Sequence, residues 1–212
     1  VEVEYAVSID DSHYARLYLV IRDVQQFDDT LLAQLKQDVI EEVKTWEDQL
    51  RMVLIERFGM EQAQNLISKF KGAFPVAYTE DVSPRVASYD VEHANKLEND
   101  EDLRVSLYMP RVKHQGEFRF KVFRFNKTMP LSEVLPDLEN LGLQVVSERP
   151  YEWRLADGRV IWVQDFDLNL ASGAALKLEL VRERFHSTFA KVSRNQLSSN
   201  PLNKLVILGG LN

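Results

Sequence analysis

The stretch FRFKVFRFNKTMPLSEVLPDLENLGLQVV (Phe118–Val146) decides how the second half of the chain is read. Its opening eight residues mix aromatic and β-branched side chains with cations, and read as a strand. Phe118 and Phe120 fall on one face of that strand, Phe123 and Phe125 on the other. Pro130 and Gly142 then bracket Leu131–Leu141, a short helix, and a further strand follows at Leu143–Val146. The connection Asn126–Ser132 leads into a helix N-terminus, where free amide hydrogens and the helix dipole suit an anion or a carboxylate. Asn126, Thr128 and Ser132 are therefore the candidate effector-binding residues. The simpler reading has Thr128 or Ser132 only capping the helix.

Downstream, strands fit Tyr151–Leu155 and Val160–Leu170, with Asp157-Gly158 as the turn between them. A final helix covers Ala174–Gln196, with Leu178, Val181, Phe185, Phe189 and Val192 along one stripe. From Phe118 the order is strand, helix, strand, strand, helix; one more strand completes the ferredoxin-like split βαβ arrangement. Upstream, a strand is expected at Leu103–Met109, after the acidic connection Glu98–Asp102. Val1–Ile9 and Tyr14–Arg22 read as a hairpin around the turn Asp-Asp-Ser-His. Apolar residues three or four apart (Leu32, Leu35, Val39, Val43, Trp46, Leu50, Val53) predict one helix over Asp29–Phe58, roughly 45 Å long. A second helix follows Gly59 over Met60–Ala73, and Ser83-Pro84 opens a third that runs to about Leu97. The expected fold is α+β, with ferredoxin-like units, antiparallel sheets and long packed helices. The expected division is a partial unit at 1–102 and a second unit at 103–212.

The chain has 212 residues, 45% apolar and 28% charged, a net charge of -7 and no cysteine. Without cysteine there is no disulfide, thiolate nucleophile or Cys-ligated zinc. The acidic balance argues against nucleic acid as the main partner, because phosphate binding needs a basic surface. The longest apolar runs, such as Leu205–Leu208, are too short to span a bilayer, and no signal peptide is visible. A first residue other than Met suggests a piece of something longer.

The candidate chemistries are thin. His13, His93, His114 and His186 are scattered without metal-ligand spacing, and surface or loop positions are expected for them. Asp165, Asp167 and Asn169 open like a calcium loop, but Leu170 and Leu176 stand where its Gly and Glu belong. Their alternation with Phe166, Leu168 and Leu170 instead describes a half-exposed strand. No dinucleotide, P-loop or nucleophile-elbow motif occurs. Arg104–Lys127 is locally basic, and GEFRFKVFRF is similar to the aromatic strand of an RNA-recognition domain. Glu117 occupies the place of the first ring, so core aromatics beside exposed Arg119 and Lys121 are expected, with RNA binding as the weaker alternative.

The words that carry a family resemblance lie in WEDQLRMVLIERFGMEQAQNLISKFKGAFPVAYTEDVSPRVASYDV (Trp46–Val91): Trp46, Asp48, Phe58-Gly59, Ala63, Leu66, Ala73-Phe74-Pro75 and Tyr78. PLSEVLPDLENLGLQVVSERPYEW, IWVQDFDLNL and NPLNKLVILGGLN continue it in order. The chain resembles the regulatory N-terminal region of the large bacterial NAD-specific glutamate dehydrogenases. That resemblance implies a cytoplasmic, homo-oligomeric parent enzyme that oxidatively deaminates L-glutamate with NAD. It implies a segment of ACT-type domains, with catalytic and cofactor-binding residues outside this chain and none within it. The implied partners are other domains and subunits of the same enzyme, and an amino-acid effector, with neither nucleic acid nor membrane. ACT ligand turns often read Asp-x-Pro-Gly; here Pro130 is followed by Leu131, which crowds the close approach that Gly allows. A pure interaction scaffold that binds no metabolite is the alternative.

Overall fold

A computed structural model describes residues 2–9, 15–22, 29–42, 44–110, 117–171 and 177–209. The chain forms two compact units, Val1–Thr45 and Trp46–Asn212. In the first, β1 (Glu2–Ile9) and β2 (Ala15–Arg22) pair antiparallel, from Glu2 opposite Arg22 to Ile9 opposite Ala15. Arg22 bonds Glu4 diagonally across the pair at 3.1 Å, a cross-strand contact on one face. The expected turn at Asp10–His13 lies outside the described residues. Helix α1 (Asp29–Glu42) completes this unit.

The single long helix expected over Asp29–Phe58 is two helices. α1 stops at Glu42, Lys44 and Thr45 are not helical, and α2 (Trp46–Phe70) starts afresh in the second unit. The apolar spacing runs in phase through the break, so periodicity carries no trace of it. What marks it is Thr45 ahead of Glu47 and Asp48 in the first turn of α2, the residue types that satisfy free N-terminal amides. Gly59, at φ 76 and ψ 167, interrupts α2 where a boundary was expected; that region of backbone space is essentially open to glycine alone.

Two further helices follow. α3 (Val76–Asp81) has no counterpart among the expected elements, while α4 (Pro84–Asn95) has its expected cap, Ser83 Oγ accepting the Val86 N–H. The sheet contains β3 (Arg104–Tyr108), β4 (Phe118–Phe125), β5 (Leu143–Arg154) and β6 (Val160–Leu170), all antiparallel, in the order β3-β4-β6-β5. α5 (Leu131–Asn140) links β4 to β5, and α6 (Leu178–Ser193) follows β6. A 3₁₀ turn (Pro201–Lys204) and the short α7 (Leu205–Leu208) come last.

This is the α+β, ferredoxin-like arrangement, with a change of connectivity. The edge place beside β4, which a strand after the second helix would fill, is taken by β3 from upstream. β5 is one strand where two were expected at Leu143–Val146 and Tyr151–Leu155. Proline reads as a breaker, but Pro150 lies on an edge strand. The Arg154 N–H points away from β6 to the Ala73 carbonyl at 3.1 Å. Pro150 shares that outward parity, so its missing donor costs no ladder bond.

Both faces of the sheet are covered. Phe118, Phe120 and Val122 pack with Phe166 and Leu168 against α5 and α6, through Val134, Leu138, Phe185 and Phe189. On the opposite face Phe123, Phe125, Tyr151, Trp153, Ile161 and Val163 pack against α2 and α4 through Leu54, Phe70, Ala87 and Val91. The division of the four phenylalanines between faces is as expected. The expectation of exposed cations is corrected: Arg119 and Lys121 are buried. Asp165 and Asp167 are buried as well, so β6 is not half-exposed; it is a central strand, and a single strand's alternation cannot report whether its polar face is covered. The described histidines, expected at the surface or in loops, are partly buried on helices facing the sheet. His93 stacks on Phe123, and His186 Nε2 accepts the outward N–H of Leu107 on edge strand β3 at 3.0 Å.

Candidate functional site

The β4–α5 connection is built from inside the sheet. Gln164 on β6 is buried and clamps Met129 in both directions: its Oε1 accepts the Met129 N–H at 2.6 Å, and its Nε2 donates to the Met129 carbonyl at 3.0 Å. Asn126 takes a left-handed backbone at φ 58, which asparagine tolerates better than most residues. Its N–H donates to the Val160 carbonyl at 2.9 Å, and its side chain donates to Asp100 at 2.8 Å. Lys127 reaches Glu101 at 2.9 Å. The amides of Asn126, Lys127 and Met129 are thus used internally. Thr128 and Ser132 are exposed. Neither caps α5, because Pro130 holds the cap position and no side chain bonds there.

Beside this connection lies a cleft of about 320 Å³, lined by Glu101, Leu103, Arg124, Met129, Glu133 and the Ser193–Asn195 segment. It opens between the first turn of α5 and the last turn of α6. Asn126, Thr128 and Ser132 do not line it; Met129 and Glu133 of the same connection do. Sequence reasoning placed Arg124 only within the basic stretch Arg104–Lys127 and missed Arg194. A further local signal is that Arg124 ends the even-numbered face of β4, where Phe118, Phe120 and Val122 precede it.

The second cluster is a buried ion network on the opposite face of the sheet. Arg119 Nε bonds Asp165 Oδ1 at 2.9 Å and lies 3.5 Å from Asp167 Oδ1. Lys121 binds Asp90 of α4 directly and sits 3.5 Å from Asp165 Oδ2. Asp90 also accepts the Tyr78 hydroxyl at 2.6 Å, and Ser147 donates to Asp167 at 2.8 Å. Arg149 reaches Asp167 from the rim at 3.8 Å. Burial pulls the Lys121 ammonium down, but Asp90 and Asp165 outweigh it and hold its pKa above the usual value. Burial, reinforced by Asp90, pushes the Tyr78 phenol well up. The contact between opposite charges offsets the cost of taking them out of water. With Arg119 and Lys121 so engaged, β4 offers neither those charges nor its buried rings to RNA. Among the described residues no group of three or more His, Asp or Glu converges as a metal site, and no helix is long and apolar enough to cross a membrane.

Residues 102–181 match the family described as Glutamate dehydrogenase, ACT3 domain, and residues 53–97 match Glutamate dehydrogenase, helical motif 2. An NAD-specific glutamate dehydrogenase of Halomonas elongata is 32% identical over 208 residues, covering 96% of this chain. This chain carries a glutamate dehydrogenase ACT3 domain and helical motif 2. A second NAD-specific glutamate dehydrogenase, from Pseudomonas aeruginosa, is 28% identical over 99% of the chain, and one from Mycobacterium tuberculosis is 27% identical over 81%. The chain spans 13% of the length of the first two relatives and 10% of the third. The glutamate dehydrogenase ACT3 match takes in the whole four-stranded sheet and α5, and helical motif 2 takes in α4. The buried pair Lys121–Asp90 therefore joins the two matched regions. Arg194 lies beyond both.

Proposed function

We propose that this chain is a regulatory and assembly segment of an NAD-dependent glutamate dehydrogenase and is itself non-catalytic. In the parent, L-glutamate, NAD and water give 2-oxoglutarate, ammonium, NADH and a proton, at residues and with a cofactor held outside this segment. The observation that carries the reading is the pair of family matches, ACT3 beside helical motif 2, in a chain spanning 13% of its relatives' length. The partners are other domains and subunits of a cytoplasmic homo-oligomer, with the 1–102 and 103–212 portions as its functional divisions. An amino-acid effector is held at the β4–α5 connection, around Asn126, Thr128 and Ser132.

The purified chain supplied with L-glutamate and NAD is expected to form no NADH; measurable turnover overturns the non-catalytic reading. In the whole enzyme, deleting the segment is expected to change effector response or subunit association. The scaffold alternative is favoured by exposed leucines near the end of the described chain: Leu202 is 70% and Leu205 59% exposed. Side chains of that kind often mark interaction surfaces. If no amino acid raises the melting temperature of the chain, the scaffold reading takes precedence.

A further inference from the structure

We propose that the outward edge of β3 is a self-association surface, pairing antiparallel with β3 of a second copy of this chain, and that His186 is the cap that holds it closed. This deepens the assembly part of the reading above.

Three observations carry it. The first is where the sheet is open. Its two edges are β3 and β5. On β5, Pro150 lacks a donor, the register shifts between Val145 and Ser147, and the Arg154 N–H is taken by the Ala73 carbonyl. Prolines and bulges are common guards of an edge. β3 has neither.

The second is how β3 is closed. Its Leu107 N–H, turned away from β4, donates to His186 Nε2 at 3.0 Å. Val105 has the same outward parity. Among the described residues its N–H and carbonyl, and the Leu107 carbonyl, make no hydrogen bond on that side. A single side chain therefore guards the edge, and a side chain can be displaced where a proline cannot.

The third is self-complementarity. A twofold axis at Ser106 sets Val105 opposite Leu107 of the copy. Both are outward residues, so each such pair can exchange reciprocal N–H···O=C bonds. Ser106, facing its own copy at the axis, is small. Val105 and Leu107 belong to the apolar core on the α5–α6 face, so their cross-strand contacts would continue that layer into the copy. Every one of these pairs needs a Leu107 N–H, which His186 occupies.

His186 caps only while neutral, because an imidazolium has no acceptor. Burial pushes its pKa down to about 4; His93 of α4 and Arg182 act in the same direction, and Glu183 opposes them. Among the described residues β3, α5 and α7, which also pack against α6, add no charge to these. The cap is shut at neutral pH and opens as pH falls towards 4.

Sedimentation equilibrium on the whole chain across the micromolar range tests this, with circular dichroism confirming the fold of each variant. At pH 7, His186→Ala should dimerise with a Kd about ten-fold or more below that of the unaltered chain, the worth of one freed hydrogen bond. His186→Gln keeps an acceptor and should match the unaltered chain. Val105→Pro loses no ladder bond, since that N–H points outward, and should abolish the gain in the His186→Ala background. As pH falls towards 4, the unaltered chain should dimerise more than His186→Gln; neutralising other carboxylates affects both alike. Equal association of folded His186→Ala and unaltered chain, a gain that survives Val105→Pro, or equal acid response in His186→Gln overturns the proposal. A chain monomeric in every variant defeats the β3 edge, while the assembly reading still rests on deleting the segment from the whole enzyme.

Discussion

The fully buried ammonium of Lys121 on β4 is bound to the carboxylate of Asp90 on α4, a pair that joins the sheet to the helical layer covering it. Arg119, Asp165 and Asp167 extend the charge network along the same face. A buried pair of this kind specifies how two layers meet more than it adds net stability, because desolvation offsets much of the attraction.

Removing one partner should therefore cost far more than removing both. Lys121→Met or Asp90→Leu alone is expected to lower unfolding stability by about 3–5 kcal/mol. The double variant should lose clearly less than the sum. Urea unfolding of the four proteins closes the cycle, and strict additivity would show that the pair does not act as a unit.

Gln164 is the internal clamp of the β4–α5 connection. Gln164→Leu leaves the Met129 N–H and carbonyl buried without partners, at a cost of about 1–3 kcal/mol for each group left unsatisfied. Amide exchange at Met129 should accelerate before exchange in β4. Unchanged protection there would mean that the turn is held by something else.

Gly59 has no neighbouring atom that a methyl group would strike, so its requirement is purely one of backbone conformation. Gly59→Ala should destabilise the second unit by about 1–3 kcal/mol. A neutral or stabilising effect in thermal unfolding would place residue 59 in an ordinary helical conformation.

Burial pushes His186 down to about 4 from the usual 6.5. The unfolded chain takes up a proton in that interval which the folded chain refuses. The stability tied to neutral His186 is thus complete above pH 6.5 and is lost as pH falls towards 4. His186→Gln keeps an acceptor for the Leu107 N–H and does not titrate. Its unfolding free energy should fall less steeply between pH 7 and pH 5 than that of the unaltered chain; an equal slope would refute the assignment.

Local pattern carried the elements well. Alternation located β4 and β6, Ser83-Pro84 located the start of α4, and Gly59 located the interruption in α2, since each depends on residues within a turn or two. The words around Trp46–Tyr78 and Pro130–Trp153 identified the family without any coordinates. The end of α1 escaped because its apolar spacing continues unbroken into α2. Pro150 misled because a proline's cost depends on whether its strand is central or at an edge, which neighbouring residues do not reveal.

That Phe118–Leu170 makes strands and a helix of ferredoxin-like order is legible in its residues, because backbone propensity and hydrophobic period act over a few residues. That Arg119, Lys121, Asp165 and Asp167 are interior rather than surface charges follows from the packing of segments distant in the chain. Burial is set by what covers a strand, and Asp90 arrives from a helix far upstream. The same holds for Arg124 and Arg194: nothing local relates them, and the packing of α6 against the sheet brings both to one cleft.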